Sequence, residues 1–509
     1  MVELAPGGRP VGRRPTRHVV GLGVGLAVMV GVLLWASTRY GYHRDELYFL
    51  ACGRRLAWGY PDQLPLTPFL ARVSELVDPH STLALRLPAV LMMVGVTALS
   101  ALIARDLGGG PFARVLTALA VGTGDLVLLS GHFLATSTTD LTVWVGLTAI
   151  AVRLLRTGER RWWLGFGAVL GVGLLNKQLP LLLTVAFVAG ILLTPTARAL
   201  LRGPWPWVGA ALAAGCWAPV LVWQARHGWP QLTLAGQIHD EYGQLGERIG
   251  FWAQQLGIFS PGAALLWITG LWWLARDPRR AGRAPALRAL AWTWLVLMVL
   301  LAVTAGQVYY PAGLYPVLIA AGAVAAERWS AAARRTTVAF LVVSAGVVLP
   351  ASLPLLTPAT LSATFWGAIS EPQREMVGWP TLVDTVAAAY RSIPAAARPQ
   401  AVVFTANYGE AGAVEEYGPA RGLPAMAYSG HNGFADWGPP PADDGPVVVV
   451  WEGRPRDAAP SAWFDGCRSF GRVDTGVDNE EGREATVWAC TGPVGGWLAL
   501  WPRLTHLSA

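Results

Sequence analysis

Stretches of about 20 mainly apolar residues recur along most of this chain, and that feature narrows its possible folds more than any other. In hydrocarbon every backbone N–H and C=O must find a partner within the protein, so such stretches become helices packed side by side. The first runs from Val19 to Thr38. Others lie near 83–104, 114–131, 133–152, 162–175, 179–194, 205–223, 251–275, 286–304, 311–327 and 336–356. The sequence therefore predicts a polytopic α-helical membrane protein with about eleven transmembrane helices. Composition agrees. The chain is 53% hydrophobic and 14% charged, against roughly 25% charged in a soluble domain.

The connections assign an orientation. Arg9, Arg13, Arg14 and Arg17 precede the first span. That span is longer than the apolar region of a cleavable signal, roughly 7–15 residues, so it reads as uncleaved with residues 1–18 as a cytoplasmic basic tail. Alternation then puts five connections inside, and all five are Arg-rich, from Arg105–Arg114 to Arg328–Arg335. The other connections, including a long outer loop 39–82 and a polar loop 224–250, carry acids, amides and His instead. This is the charge asymmetry of a multi-pass plasma-membrane protein. It also accounts for the net charge of +7 without a nucleic-acid partner.

Past residue 357 the spans stop, so 19–357 reads as the membrane domain and 358–509 as a second domain. Ala401–Phe404 and Val447–Trp451 read as buried strands, with a helix between them at Gly409–Tyr417. An extracytoplasmic α/β domain follows. In that compartment Cys467 and Cys490 are a disulfide candidate, with two free thiols as the alternative.

The polar residues that remain are candidates for chemistry. In the first outer loop, His43-Arg44-Asp45-Glu46 puts two adjacent carboxylates at a membrane surface. Neighbours on a helix point about 100° apart, so the two divide labour. One can take a proton from a hydroxyl; the other can hold a metal or orient the base. Asp62 follows in a Pro-rich turn that could approach Asp45. Asp140 lies in the fourth span, where an acid is a functional candidate unless it simply bonds Thr138 or Thr139. Lys177, in Asn176-Lys177-Gln178, is a cation between two apolar runs. It either snorkels or meets a lipid phosphate. His239 and Glu241 lack a third metal ligand, and Gln307, Tyr309 and Tyr310 suit an aromatic belt or a headgroup. Asn407-Tyr408-Gly409-Glu410 joins a strand to a helix whose N-terminus can receive an anion, and Ser429-Gly430-His431-Asn432 lies in a polar and aromatic stretch that suits a sugar or forms one ordered turn. No nucleotide-binding motif is present.

These motifs resemble the GT-C lipid-linked-sugar glycosyltransferases of the glycosyltransferase family 39 type, which includes protein O-mannosyltransferases and aminoarabinose transferases. The resemblance covers roughly 19–356. It rests on His43-Arg44-Asp45-Glu46, Asp62-Gln63-Leu64-Pro65, Asp140 and Asn176-Lys177-Gln178. It implies transfer of a sugar from a polyprenyl-phosphate donor to a hydroxyl of a cell-envelope glycan, lipid or protein on the outer membrane face. Asp45 then corresponds to the catalytic base, with Glu46 beside it, and Lys177 and Arg44 to donor-phosphate contacts. Asp62 and Asp140 would support the site. A divalent metal is a candidate cofactor, with Glu46 and Asp62 its candidate ligands. Aminoarabinose transferases carry Lys where this chain has Gln63, so Arg44, Arg54 and Arg72 are candidates for the missing phosphate contact. The alternative function is a multi-span transporter or lipid flippase.

Overall fold

A computed structural model describes residues 17–242, 245–276, 284–452, 460–479 and 485–508; most of the basic N-terminal tail lies outside them. Each apolar stretch forms helix. Along the first half of the membrane domain these are α1 (Arg17–Ser37), α2 (Arg44–Arg54), α3 (Leu66–Val77), α4 (Thr82–Asp106), α5 (Pro111–Gly122), α6 (Asp125–His132), α7 (Thr136–Thr157), α8 (Trp162–Gly173) and α9 (Leu179–Leu193). After them come α10 (Trp205–Arg226), α11 (Pro230–Tyr242), α12 (Leu245–Gln254), α13 (Pro261–Ala275), α14 (Ala289–Val303), α15 (Tyr315–Ala326) and α16 (Ala331–Ser352). Large apolar side chains such as Val28, Leu91, Trp207 and Val343 remain more than half exposed. Repeated along the outsides of long helices, such exposure fits lipid rather than water.

The expected count of about eleven needs qualification. Six helices are long and apolar enough to cross a membrane, and α5 with α6 adds a seventh as a span bent by 61°. The bend falls at Thr123-Gly124, where a side chain on Gly124 would strike the Phe259 ring. Asp125 N–H leaves the helix pattern to donate to Phe259 O at 2.7 Å. The remaining four stretches give short helices, at Trp162–Gly173, Leu179–Leu193, Pro261–Ala275 and Ala312–Ala326. A helix of 12 residues such as α8 rises only about 18 Å, short of a hydrocarbon core of about 30 Å. The polar turn between α8 and α9 can therefore sit within the membrane's depth. Small residues draw the bundle together. At Gly270 on α13 and Gly322 on α15, an added Cβ would come within 1.9 Å of the facing helix's backbone oxygen, the close approach that membrane helix pairs favour. The stretch 224–250, expected as a polar loop, instead carries α11 and the start of α12.

One buried ion pair ties the first loop to the bundle. Glu46 and Arg86 are both fully buried. Arg86 Nη2 donates to Glu46 Oε2 at 2.7 Å and Arg86 Nε to Oε1 at 2.9 Å. Arg86 also donates to Ser37 O and Gly41 O, at 3.0 and 2.7 Å. Glu46 accepts from the backbone N–H of His43 and of Leu134, each at 2.9 Å. Four chain segments thus meet on two side chains. His43 caps α2 with Nδ1, which accepts from Asp45 N–H. Burial holds the His43 imidazole below its ordinary pKa, so it keeps the neutral form this cap requires.

The C-terminal domain is α/β. The Val-rich stretches form β1 (Val402–Thr405) and β3 (Val447–Glu452), with β2 (Tyr428–Ser429), β4 (Phe464–Asp465), β5 (Arg468–Arg472), β6 (Ala485–Cys490) and β7 (Gly492–Pro493) around them. The main sheet has the order β2-β1-β3-β6-β5. β1 runs parallel to β2 and β3, and β6 is antiparallel to both β3 and β5. Helices α17 (Trp379–Ser392), α18 (Tyr408–Tyr417), α19 (Asn432–Asp436) and α20 (Trp497–Leu504) complete it. Strand alternation divides the core. Val403, Val448, Val450 and Val487 pack with α17 and α18, while Phe404, Val447 and Val449 pack against Trp497 and Trp501. Leu47, Tyr48, Leu50 and Ala51 of α2 belong to the first of these cores. A disulfide joins Cys467 to Cys490.

Truncating one partner of a fully buried ion pair costs about 3–5 kcal/mol. Glu46→Gln is therefore expected to lower the thermal midpoint of the detergent-solubilised protein sharply. Asp45→Asn, one residue away, is expected to leave it within a few degrees. Equal midpoints for the two variants would overturn the structural role of Glu46.

Candidate active site

The Glu46 bonds set how α2 faces the rest of the chain. With Glu46 turned into the bundle, Asp45, about 100° round the helix, is left at the wall of a cavity of about 600 Å³. Asp62 and Lys177 line the same cavity, so the structure brings together three residues that lie far apart in sequence. Leu181, Leu182, Leu234, Ile238 and Leu301 supply an apolar flank from α9, α11 and α14. The lining is thus part polar and part apolar, and the apolar part suits a hydrocarbon chain.

Asp45 keeps its side chain 37% exposed. Its Oδ1 accepts from the Tyr408 hydroxyl at 3.0 Å, and its Oδ2 lies 4.0 Å from His43 Nδ1. Asp62 is held more tightly. Oδ1 accepts from Tyr48 Oη at 2.8 Å and Oδ2 from Asn432 Nδ2 at 3.1 Å. Loss of solvation pushes the Asp62 carboxyl up to about 7, with the charge of Asp45 adding to the rise and the bonds from Tyr48 and Asn432 opposing it. Burial also keeps the Tyr48 and Tyr408 phenols protonated, as donors.

Lys177 comes from the turn between α8 and α9. Its Nζ lies 5.3 Å from the centre of the Tyr309 ring, within cation–π range. Asn176 fixes the turn beneath it. Asn176 Oδ1 accepts from Thr67 Oγ1 at 2.7 Å, and its Nδ2 donates to Thr136 O at 2.8 Å. Gln178 donates to Gln231, which in turn donates to Gln63 O. The turn between α8 and α9 is thereby tied to α3, α7 and α11.

Several expected site residues are elsewhere. Glu46 is spent on Arg86 and on backbone donors, so it has neither a free oxygen for a metal nor a path to the cavity. Arg44 is not among the cavity walls; its guanidinium lies 5.4 Å from the Tyr408 ring centre. Asp140 lies below, beside a void of about 20 Å³, and accepts from Trp144 Nε1 at 3.1 Å rather than from Thr138 or Thr139. It interacts electrostatically with Lys177. Arg54 and Arg72 pair with Glu75, and Arg54 also with Glu416, so neither replaces a phosphate contact at Gln63. Gln63 itself lines the cavity and donates to Cys52 Sγ at 3.3 Å. His239 Nδ1 lies 3.2 Å from Thr304 O, while the Glu241 side chain lies outside the described residues. Among the described residues no three His, Cys, Asp or Glu side chains cluster as metal ligands.

The residues that sequence reasoning missed come chiefly from the C-terminal domain. Tyr408, Asn432 and Ser508 line the cavity. Tyr48 links the two domains: it donates to Asp62 and accepts from Gly433 N–H at 2.8 Å. A Cβ at Gly433 would come within 2.5 Å of the Tyr48 oxygen, so this contact requires glycine. The available signals were the Asn407–Glu410 and Ser429–Asn432 clusters, whose role depends on docking.

A bundle of short and long membrane helices, roofed by an α/β domain over a carboxylate- and lysine-lined cavity, has the GT-C fold. The chain superposes on apo ArnT from Cupriavidus metallidurans with a TM-score of 0.62 at 14% identity, covering 92% of this chain and 98% of that one. It superposes on the same protein bound to undecaprenyl phosphate with a TM-score of 0.58 at 16% identity and the same coverage. At these identities the likeness is one of fold. The family model described as dolichyl-phosphate-mannose-protein mannosyltransferase matches residues 62–223. No curated protein sequence matches the chain.

Because the folded state holds the Asp62 proton up to about 7 and a free carboxyl only to 3.8, folding stability contributed at this position is full below about pH 4. It falls as pH rises to about 7, then levels. Asp62→Asn is expected to remove this component, so the variant should lose less thermal stability than wild type between pH 5 and pH 8. Parallel curves would count against a raised Asp62.

Proposed function

We propose that this protein is a membrane glycosyltransferase that moves a sugar from a polyprenyl-phosphate donor to an acceptor hydroxyl. The observation that carries the reading is the shared cavity, whose lining holds both Asp45 and Lys177 together with apolar residues. The GT-C fold and the mannosyltransferase family match over 62–223 support it, as does the binding of undecaprenyl phosphate by ArnT. The transporter alternative gains no support from these likenesses.

The chemistry follows from charge. Asp45 takes the proton of the acceptor O–H as its oxygen bonds the anomeric carbon. The bond from that carbon to the phosphate oxygen breaks, and polyprenyl phosphate leaves with the electron pair. Lys177 stabilises the negative charge that develops there, the kind of preorganised electrostatic contribution that commonly dominates catalysis. A single displacement inverts the anomeric centre. The polyprenyl chain lies along the flank formed by Leu181, Leu234 and Leu301. Asp62 braces the sugar side of the cavity and Asp140 supports Lys177 from below. On the charge asymmetry of the connections, the N-terminus is cytoplasmic and the cavity and C-terminal domain face outward.

Purified protein in lipid, given a panel of polyprenyl-phosphate sugars and a membrane extract as acceptor, is expected to release polyprenyl phosphate. Asp45→Asn should cut the rate by about 10²–10⁴-fold, the usual value of a general base. Lys177→Met should weaken both binding and turnover. Release unchanged by Asp45→Asn would remove it as the base; no release from any donor by folded protein would remove the activity. EDTA treatment is expected to leave release unchanged, since Glu46 is committed to Arg86 and, among the described residues, no three His, Cys, Asp or Glu side chains cluster as metal ligands.

A further inference from the structure

The two carboxylates of the cavity stand on the membrane-domain side, yet the C-terminal domain holds an oxygen of each. Tyr408, at the first position of α18, gives its hydroxyl to Asp45 Oδ1. Asn432, at the first position of α19, gives its amide to Asp62 Oδ2. Both residues are more than nine-tenths buried and both line the cavity.

Neither contact looks incidental. Asn432 has a left-handed backbone with φ 48°, a conformation that Asn tolerates better than most residues with a side chain. Its amide is fixed from the other side as well: Nδ2 donates to Ser508 O and Oδ1 accepts from Ser508 N–H, both at 3.1 Å. Tyr408 packs against Tyr48 with ring centres 4.7 Å apart, and the Tyr48 hydroxyl holds the second Asp62 oxygen. Ionic contacts seat the domain. Arg55 bonds Glu415, and Arg54 bonds Glu416, each at 2.6 Å, and both acids are 2% exposed.

We propose that Tyr408 and Asn432 are positioning residues of the active site, so that the C-terminal domain is a working part of it: Tyr408 aims Asp45 at the acceptor hydroxyl, and Asn432 with Tyr48 immobilises Asp62. This rests on the reading of Asp45 as the base. The arrangement separates two otherwise similar groups. Asp45 has a hydrogen bond to Oδ1 and a side chain 37% exposed; Asp62 has a hydrogen bond to each oxygen. The titratable groups interacting with Asp45 are His43, Tyr408 and Asp62; Arg44 precedes it on α2, and Lys177 lines the same cavity. Those interacting with Asp62 are Tyr48, Cys52, Tyr60, Asp45 and Tyr408.

Two conservative variants test the clamp in the full-length protein in lipid. Tyr408→Phe keeps the ring and removes one hydroxyl. It is expected to lower kcat by roughly 10- to 100-fold, as befits losing a hydrogen bond to a charged group. The acid limb of the pH–rate profile should move to higher pH, because the ionised base has lost a donor. KM for the donor should stay within about twofold. Asn432→Gly keeps the left-handed backbone and removes the amide. An infrared titration of the protonated carboxyl band that Asp62→Asn abolishes should show its midpoint rising above that of wild type. A Tyr408→Phe enzyme with wild-type kcat and pH profile would overturn the proposal, as would an unmoved infrared midpoint in Asn432→Gly. If wild type releases no polyprenyl phosphate, it is the functional reading that fails, and the infrared experiment, which needs no turnover, still decides the Asn432 contact.

Discussion

The bond between Glu46 and Arg86 is the constraint on which the rest of this structure depends. A buried ion pair is poor grounds for stability in itself, because desolvation can cancel its attraction. Here the remaining hydrogen-bonding capacity is also used: Ser37 O and Gly41 O take donors from Arg86, and His43 N–H and Leu134 N–H satisfy Glu46. The end of α1, the cap of α2, the body of α4 and the approach to α7 are thereby locked in one arrangement. The orientation of α2 follows, and with it the side on which Asp45 emerges. The adjacent acids do divide labour, as neighbours on a helix must, but one part of that labour is structural.

Helix α2 also settles what the C-terminal domain is. Its apolar face belongs to the core of that domain, alongside Val448 and Leu382, rather than to the membrane bundle. The loop after the first span is thus shared between the two halves of the chain. Glu415 and Glu416 are buried where they meet Arg55 and Arg54, so this is a packed interface with desolvated ion pairs, not a loose surface contact. A roof attached in this way fixes the distance between Tyr408 and Asp45 as firmly as a bond within one domain would.

How far the sequence could be read follows from these interactions. The apolar stretches were legible because hydrocarbon imposes its requirement on each segment separately; the strands at 402–405 and 447–452 were legible for a similar local reason. The 61° break between α5 and α6 was not, since it depends on Phe259 arriving from another part of the chain. The helix at 230–242 is not legible either, because its mixed composition reads as a loop. At the candidate site, Asp45, Asp62 and Lys177 could be singled out as polar groups beside apolar runs, where an unpaired charge is costly. Glu46 carried the same signal, because sequence spacing shows that neighbours point apart without showing which one points inward. Arg44, Arg54 and Arg72 could be counted as cations, but their acidic or aromatic partners lie up to several hundred residues away. Tyr408 and Asn432 had no signal beyond a polar cluster after a strand.

The lengths of α8 and α9 connect this architecture to the chemistry proposed for it. A lipid-linked phosphate lies at the boundary between hydrocarbon and water, so a lysine that meets it must be carried to that depth. Helices of 12 and 15 residues are too short to cross a core of about 30 Å unaided, and the turn joining them holds Asn176, Lys177 and Gln178. Left in lipid, that turn would expose unpaired polar groups. It is tolerated because Thr67, Thr136 and Gln231 complete its hydrogen bonds and because it opens on a cavity instead of on lipid, the condition under which irregular backbone persists at membrane depth. The shortness of two helices, a weak point in counting spans, is on this reading what makes room for the site.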